Sequence, residues 1–205
     1  EHGPVRDVAP GLGDLAGIQR LEARDFRILP GAITRKDGWR AAAARNVDII
    51  ELVKRLEREG RLATPEEQSL LALYVGWGAS EIRNHIFKHY YGGDEIPIYE
   101  WDNSAWKDII ARINALLTPE EIKAAARSTQ YAHYTSEKVA RAIWGAMTRL
   151  GFPGGRVFEP GMGIGTFAGL MPDDIYQHSS YTGIEFDPIT ATIAKYLYPR
   201  QNIIL

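Results

Sequence analysis

Val157-Phe158-Glu159-Pro160-Gly161-Met162-Gly163-Ile164-Gly165-Thr166-Phe167, followed by Tyr181-Thr182-Gly183-Ile184-Glu185-Phe186-Asp187-Pro188, decides the fold of this chain. A short apolar run ends on an acidic residue, and glycines follow at alternate positions. A second apolar run ends on another acidic residue. The spacing predicts a strand over Arg156 to Glu159, a short helix over Thr166 to Leu170 and a strand over Tyr181 to Glu185. A helix over Pro188 to Tyr198 and the start of a third strand at Asn202 to Leu205 complete the pattern. Strands alternating with helices predict a parallel sheet.

Upstream, Thr135 or Ser136 caps a predicted helix that runs to about Leu150, with Val139, Ile143, Trp144 and Met147 as its apolar stripe. Between residues 45 and 128 the pattern is mostly helical. Asn46 to Arg58 places Val47, Ile50, Leu52, Val53 and Leu56 at helical spacing and stops at Gly60. Thr64-Pro65-Glu66-Glu67 is a capping box with Pro at the first helical position, and Thr118-Pro119-Glu120-Glu121 repeats it. Between them fall a helix at about Ala79 to Tyr91, a loop at Gly92-Gly93 and a helix near Ser104 to Leu117. Glu1 to Gly17, rich in Gly, Pro and Ala, reads as a flexible lead-in. The expected organisation is therefore a lead-in and basic segment over 1–44, a helical module over 45–128 and an α/β unit over 129–205.

Composition bounds the partners. The chain has 205 residues, 45% of them hydrophobic, and a formal net charge of -2. No apolar run approaches the roughly 18 residues of a membrane span, so no membrane association is expected. With no cysteine, disulfides and thiolate-ligated zinc are excluded and a reducing cytoplasm suits the chain. The first residue is Glu1 and the first methionine is Met147, which predicts a segment of a longer protein.

Gly161, Gly163 and Gly165 give a backbone that turns sharply and admits a ligand closely, and the helix that follows offers amides to negative groups. Glu185 lies twenty positions after Gly165, where a carboxylate can accept both ribose hydroxyl protons. These features also fit a dinucleotide site or a structural glycine turn. Glu159 favours another ligand: an acid at the end of the first strand suits a cationic amino group and repels a pyrophosphate. The third glycine of G-x-G-x-x-G is also missing. S-adenosyl-L-methionine is the cofactor these residues fit best.

Glu159-Pro160-Gly161-Met162-Gly163-Ile164-Gly165 resembles motif I of class I S-adenosylmethionine-dependent methyltransferases, and Ile184-Glu185-Phe186-Asp187-Pro188 resembles motif II. Ala132-His133-Tyr134-Thr135-Ser136 resembles motif X of the amino-methylating DNA enzymes, with Ser136 where that motif has Pro. The order X-I-II is similar to that of the adenine-N6 enzymes of γ and α arrangement. Asn46-Val47, Glu59 to Gln68 and Tyr74-Val75-Gly76-Trp77-Gly78 resemble the region before the methylase in large phage- and plasmid-borne methylase–helicase proteins. The resemblance implies a Rossmann-like domain, of which the chain holds about strands 1–3. It implies that Tyr134 and Thr135 lie at the cofactor, Thr135 on its methionine carboxylate. Glu159 would face the amino group, with Pro160, Gly161, Gly163 and Gly165 forming the loop beneath. Glu185 would hold the ribose and Phe186 would flank the adenine. The implied partners are DNA, the remaining carboxy-terminal part of the methyltransferase domain and a helicase domain.

The same family transfers the methyl group with an Asn/Asp/Ser-Pro-Pro-aromatic tetrad that grips a flipped base. No Pro-Pro occurs in these 205 residues, so no catalytic residue is assigned here. In the family's sheet the fourth strand lies beside the first. An open first strand then predicts cofactor binding that is weak or absent, no transfer by this chain alone and dimerisation through the exposed edge. The alternatives are an RNA or protein methyltransferase, and a helical interaction module on a non-catalytic scaffold.

Other signals read more plainly. His85 and His89 stand four apart on a predicted helix without an evident third ligand, so no metal is assigned. His133 either lines the cofactor site or packs. Trp77, Trp101 and Trp106 fit core packing better than base stacking. Arg20, Arg24, Arg27, Arg35, Lys36, Arg40 and Arg45, against Glu22, Asp25 and Asp37, read as a solvated face, with phosphate contact as the sharper alternative.

Overall fold

The computed structural model describes residues 23–32, 38–87, 104–130 and 134–205. The chain is mixed α/β. Its helical part comprises α1 (Trp39–Glu59), α2 (Pro65–Leu71) and α3 (Ser80–Ile82), which continues as a π-helix over Arg83–Phe87. A 3-10 turn at Ser104–Trp106 leads into α4 (Lys107–Leu116), followed by α5 (Pro119–Ser128). Then come α6 (Glu137–Arg149), β1 (Arg156–Pro160), α7 (Thr166–Leu170), α8 (Asp173–Gln177), β2 (Ser180–Ile184), α9 (Pro188–Leu197) and β3 (Asn202–Ile204).

α1 starts at Trp39 rather than Asn46, because Ala41 to Ala44 are strong helix formers that extend it backwards. It buries Val47, Ile50, Val53 and Leu56, against α4, which buries Ile109 and Ile113. Both predicted capping boxes form. Thr64 Oγ1 accepts from Glu67 N at 3.3 Å while Thr64 N donates to Glu67 Oε2 at 2.9 Å, and Thr118 and Glu121 repeat the exchange at 3.2 and 2.9 Å. Arg61 forks onto Glu67 at 2.6 and 2.8 Å. Those bonds, with the Thr64 amide, hold the Glu67 carboxyl down at about 2.

The three strands are parallel in the order β1-β2-β3, with Glu159 opposite Gly183 and Gly183 opposite Ile203. α9 buries Ile189, Ile193, Ala194 and Leu197. α6 is capped by Ser136, whose hydroxyl accepts from Val139 N at 3.4 Å. Its stripe is split. Trp144 is buried and donates to the Phe167 carbonyl at 2.9 Å, whereas Val139 and Ile143 stay half exposed, as does Phe158 on β1. The expectation that all of this stripe faces a core is therefore corrected. α8, unpredicted, follows Pro172 with two acidic residues in its first turn.

One segment of the sequence-defined lead-in is built into the α/β part. Phe26 N donates to Leu197 O at 2.7 Å and Ile28 N to Gly169 O at 2.9 Å. Buried Asp25 accepts from the Tyr176 hydroxyl and from Arg200 N, both at 2.8 Å. Arg27 pairs with Asp173 at 3.0 Å and lies 4.6 Å over the Tyr176 ring, while Arg40 pairs with Asp108 at 2.7 Å. These cations are engaged within the molecule. Arg35 and Lys36, like His89, Trp101 and His133, lie outside the described residues. Trp77 and Trp106 are core residues, and His85 stacks on Trp106 at 4.8 Å.

The helical and α/β parts share one continuous apolar core. Buried Gln68 on α2 donates to the carbonyls of Tyr196 at 3.0 Å and Leu197 at 3.3 Å, covering acceptors that the end of α9 leaves open. Among the described residues, no helix is long and apolar enough to cross a membrane.

Candidate functional site

The glycine loop folds back over the carboxyl end of β2. The amides of Gly161 and Met162 both donate to the Ile184 carbonyl, at 2.8 and 2.9 Å. The next turn of the loop meets Glu185, whose Oε2 accepts from Gly163 N and whose Oε1 accepts from Asp187 N, each at 2.8 Å. A carboxylate has about four acceptor positions. Two backbone bonds therefore orient Glu185 and leave each oxygen able to take one more donor.

A cavity of about 260 Å³ lies over this loop, at the carboxyl ends of β1 and β2. Seven of the sequence-predicted residues line it: Tyr134, Thr135, Glu159, Gly161, Gly163, Glu185 and Phe186. Pro160 and Gly165 are placed beside it rather than in its wall. Pro160 ends β1 opposite Ile184, and Gly165 caps α7 with its open face against the Tyr198 ring. The loop glycines differ in what they admit. A side chain at Gly161 would meet open space, whereas a Cβ at Gly163 would come 2.8 Å from the Tyr134 ring. Gly163 thus makes room for a tyrosine of this chain, and Gly161 leaves room for a ligand. Thr135 and Phe186 are exposed at the rim. α7 has five residues, too few to build the anion site expected of a longer helix.

The cavity is acidic. Burial, and then the neighbouring Glu185, pushes the Glu159 carboxyl up to about 8. The Tyr181 hydroxyl donates to Glu159 Oε2, and no cation of the described residues is among the charges that shift it. Asp187, which caps α9 through bonds from Thr190 N at 2.8 Å and the Thr190 hydroxyl at 2.7 Å, is also pushed up by burial. Its second oxygen, Oδ2, is buried with no hydrogen-bond partner.

Sequence reasoning missed several other residues of the wall. Thr166 and Thr190 bring hydroxyls, Asp187 a carboxylate, and Ala124 and Ser128 arrive from α5. The Asp187-Pro188 pair signals a helix cap in the sequence, which accounts for one of its oxygens only. Nothing local marks Ala124 or Ser128, since they meet the loop through tertiary packing. Among the described residues no group of three or more His, Asp or Glu is placed to hold a metal ion. Comparison with protein-family models, with curated proteins and with solved structures finds no match to this chain.

Proposed function

We propose that this chain binds S-adenosyl-L-methionine and forms the cofactor-holding part of a DNA adenine-N6 methyltransferase with a Rossmann-like fold. The observation that carries the reading is an acidic cavity at the carboxyl ends of two adjacent parallel strands. Glu159, Glu185 and Asp187 all line it, and burial pushes the Glu159 carboxyl up to about 8 and raises that of Asp187. A dinucleotide would bring its pyrophosphate against these carboxylates, whereas a ligand with an ammonium and a ribose diol supplies the donors they lack. Glu159 would face the amino group, Glu185 the ribose, and Thr135 and Phe186 the two ends of the ligand. Bound there, the cofactor supplies an activated methyl group.

The adenine-N6 assignment is supported by the order of the Tyr134-Thr135 motif, the glycine loop and the Glu185 motif. The chain has no Pro-Pro, so the groups that grip the target amine must come from outside these residues. Methyl transfer is not expected from this chain alone, and DNA, a helicase domain and a complementary methyltransferase segment are its proposed partners.

Proton release tests the reading. A carboxyl with a pKa of about 8 is about 0.9 protonated at pH 7 and must ionise to face an ammonium. Calorimetric titration with S-adenosylmethionine at pH 7, in phosphate and in Tris, should show a buffer-dependent heat that corresponds to release of about one proton. 5′-Methylthioadenosine, which has no amino acid group, should release none. The expected dissociation constant is on the order of 100 µM, because on this reading the chain supplies only part of the cofactor crevice. A sub-micromolar constant would refute the expectation of weak binding. Absence of binding up to several millimolar, as an order of magnitude, would refute the cofactor.

A further inference from the structure

We infer that Asn46 and Gly76 are positioning residues for the cofactor cavity: they fix the Tyr134 ring, so that the helical part of the chain governs ligand binding in the α/β part. The inference rests on reading the cavity as an S-adenosylmethionine site. Asn46, on α1, is fully buried. Its side-chain amide donates to the Gly76 carbonyl at 2.7 Å, and its Oδ1 accepts from Val75 N at 3.1 Å. One side chain therefore holds the Tyr74–Val75 and Gly76–Trp77 peptides, the two that flank the Val75–Gly76 bond. Trp77, next in sequence, is packed edge-on against Tyr74 and Phe87, which keeps the turn from moving outward.

Gly76 has φ +65°, and a Cβ there would lie 2.8 Å from the Tyr134 hydroxyl and 3.1 Å from its ring carbons. On the other edge of the same ring, a Cβ at Gly163 would lie 2.8 Å from Cε1. Tyr134 is thus wedged between a glycine of the helical part and a glycine of the loop, with its hydroxyl 3.4 Å from Thr190 Oγ1. The ring is itself a wall of the cavity. Any side chain at position 76 must push it toward Gly163, and loss of the Asn46 bonds frees the turn that holds it. This gives the Asn46-Val47 and Tyr74 to Gly78 patches, whose sequence resemblance carried no mechanism, a physical role.

The test is titration of the whole 15N-labelled chain with S-adenosylmethionine, followed by amide and Asn side-chain resonances. In the wild type, Gly163, Gly76 and the Asn46 side chain should shift with one common dissociation constant. Gly76→Ala and Asn46→Asp should each weaken binding about tenfold or more while far-UV circular dichroism is retained. Adding Tyr134→Phe to Gly76→Ala should recover part of the affinity, because the hydroxyl is the atom nearest the new methyl. A folded Gly76→Ala variant with wild-type affinity would overturn the inference. So would a wild-type titration in which Gly163 shifts and Gly76 and Asn46 do not, a result that needs no variant to fold. If no resonance of the loop shifts in the wild type, it is the cofactor reading that fails.

Discussion

Glu159→Gln should stabilise this protein while weakening its binding of a cationic ligand. Glu159 has a folded pKa of about 8 against an ordinary 4.5. Between those values the native state keeps a proton that the unfolded chain has lost, so stability falls as pH rises through the window. The linkage integrates to about 3 kcal/mol at pH 7. The Tyr181 hydroxyl donates to Glu159 Oε2, a bond that offsets little of this loss at pH 7, where the native carboxyl is still mostly protonated. Glutamine keeps an acceptor for Tyr181 and removes the titration. Asp187 and Glu57 are also pushed up by burial, so the informative quantity is the difference between wild type and variant. Urea unfolding followed by circular dichroism at pH 5, 6, 7 and 8 should show that difference growing with pH. The variant should gain about 3 kcal/mol at pH 7 and about 1 kcal/mol at pH 5. Parallel pH profiles would show that Glu159 titrates normally, and the argument for a cation-seeking cavity would lose its basis.

Two further outcomes follow from packing and from the exposed edge. Gln68→Ala removes a buried amide from the carbonyls of Arg24, Tyr196 and Leu197 and should cost about 1–3 kcal/mol in urea unfolding, whereas a loss below about 0.5 kcal/mol would mean that water replaces it. β1 pairs with β2 on one side and carries Phe158, 61% exposed, while Val139 and Ile143 of α6 are half exposed. Sedimentation velocity should therefore show concentration-dependent self-association that Phe158→Asp suppresses, and a wild type that stays monomeric at high concentration would refute this.

What could be read in advance was whatever is encoded locally. The capping boxes at Thr64 and Thr118, the two strands whose ends fall within one residue of those expected at Glu159 and Glu185, and the helix that starts at Pro188 all rest on short-range chemistry. Glu159 and Glu185 were legible as cavity carboxylates because a strand end fixes where its next side chain goes. What was not legible depends on contacts between distant residues. Gly163 reads in sequence as a ligand-facing glycine, yet its bare face accommodates Tyr134. The start of α1 was masked by arginines that suggest a surface segment, although the alanines among them favour helix. Ala124 and Ser128 reach the cavity only because α5 packs against α9.

That last class of contact bears on how the site is sustained. An apo cavity that buries Glu159 and Asp187 is a local cost, since each holds its proton against its normal tendency or stays ionised without full solvation. The offset comes from outside the loop. Gln68 satisfies the end of α9, the helix that Asp187 caps. Asp25 ties the amide of Arg200 and the hydroxyl of Tyr176 to the segment that runs along α9. Asn46 holds the turn against which Tyr134 rests. Each is a buried polar side chain bonded to backbone or side-chain groups far away in sequence, and each places a helical or extended segment against the α/β part. The change of pattern at Arg127 is thus a change of secondary structure with packing continuous across it. The strained chemistry of the cavity is held by residues that, in the sequence, look like the least functional part of the chain.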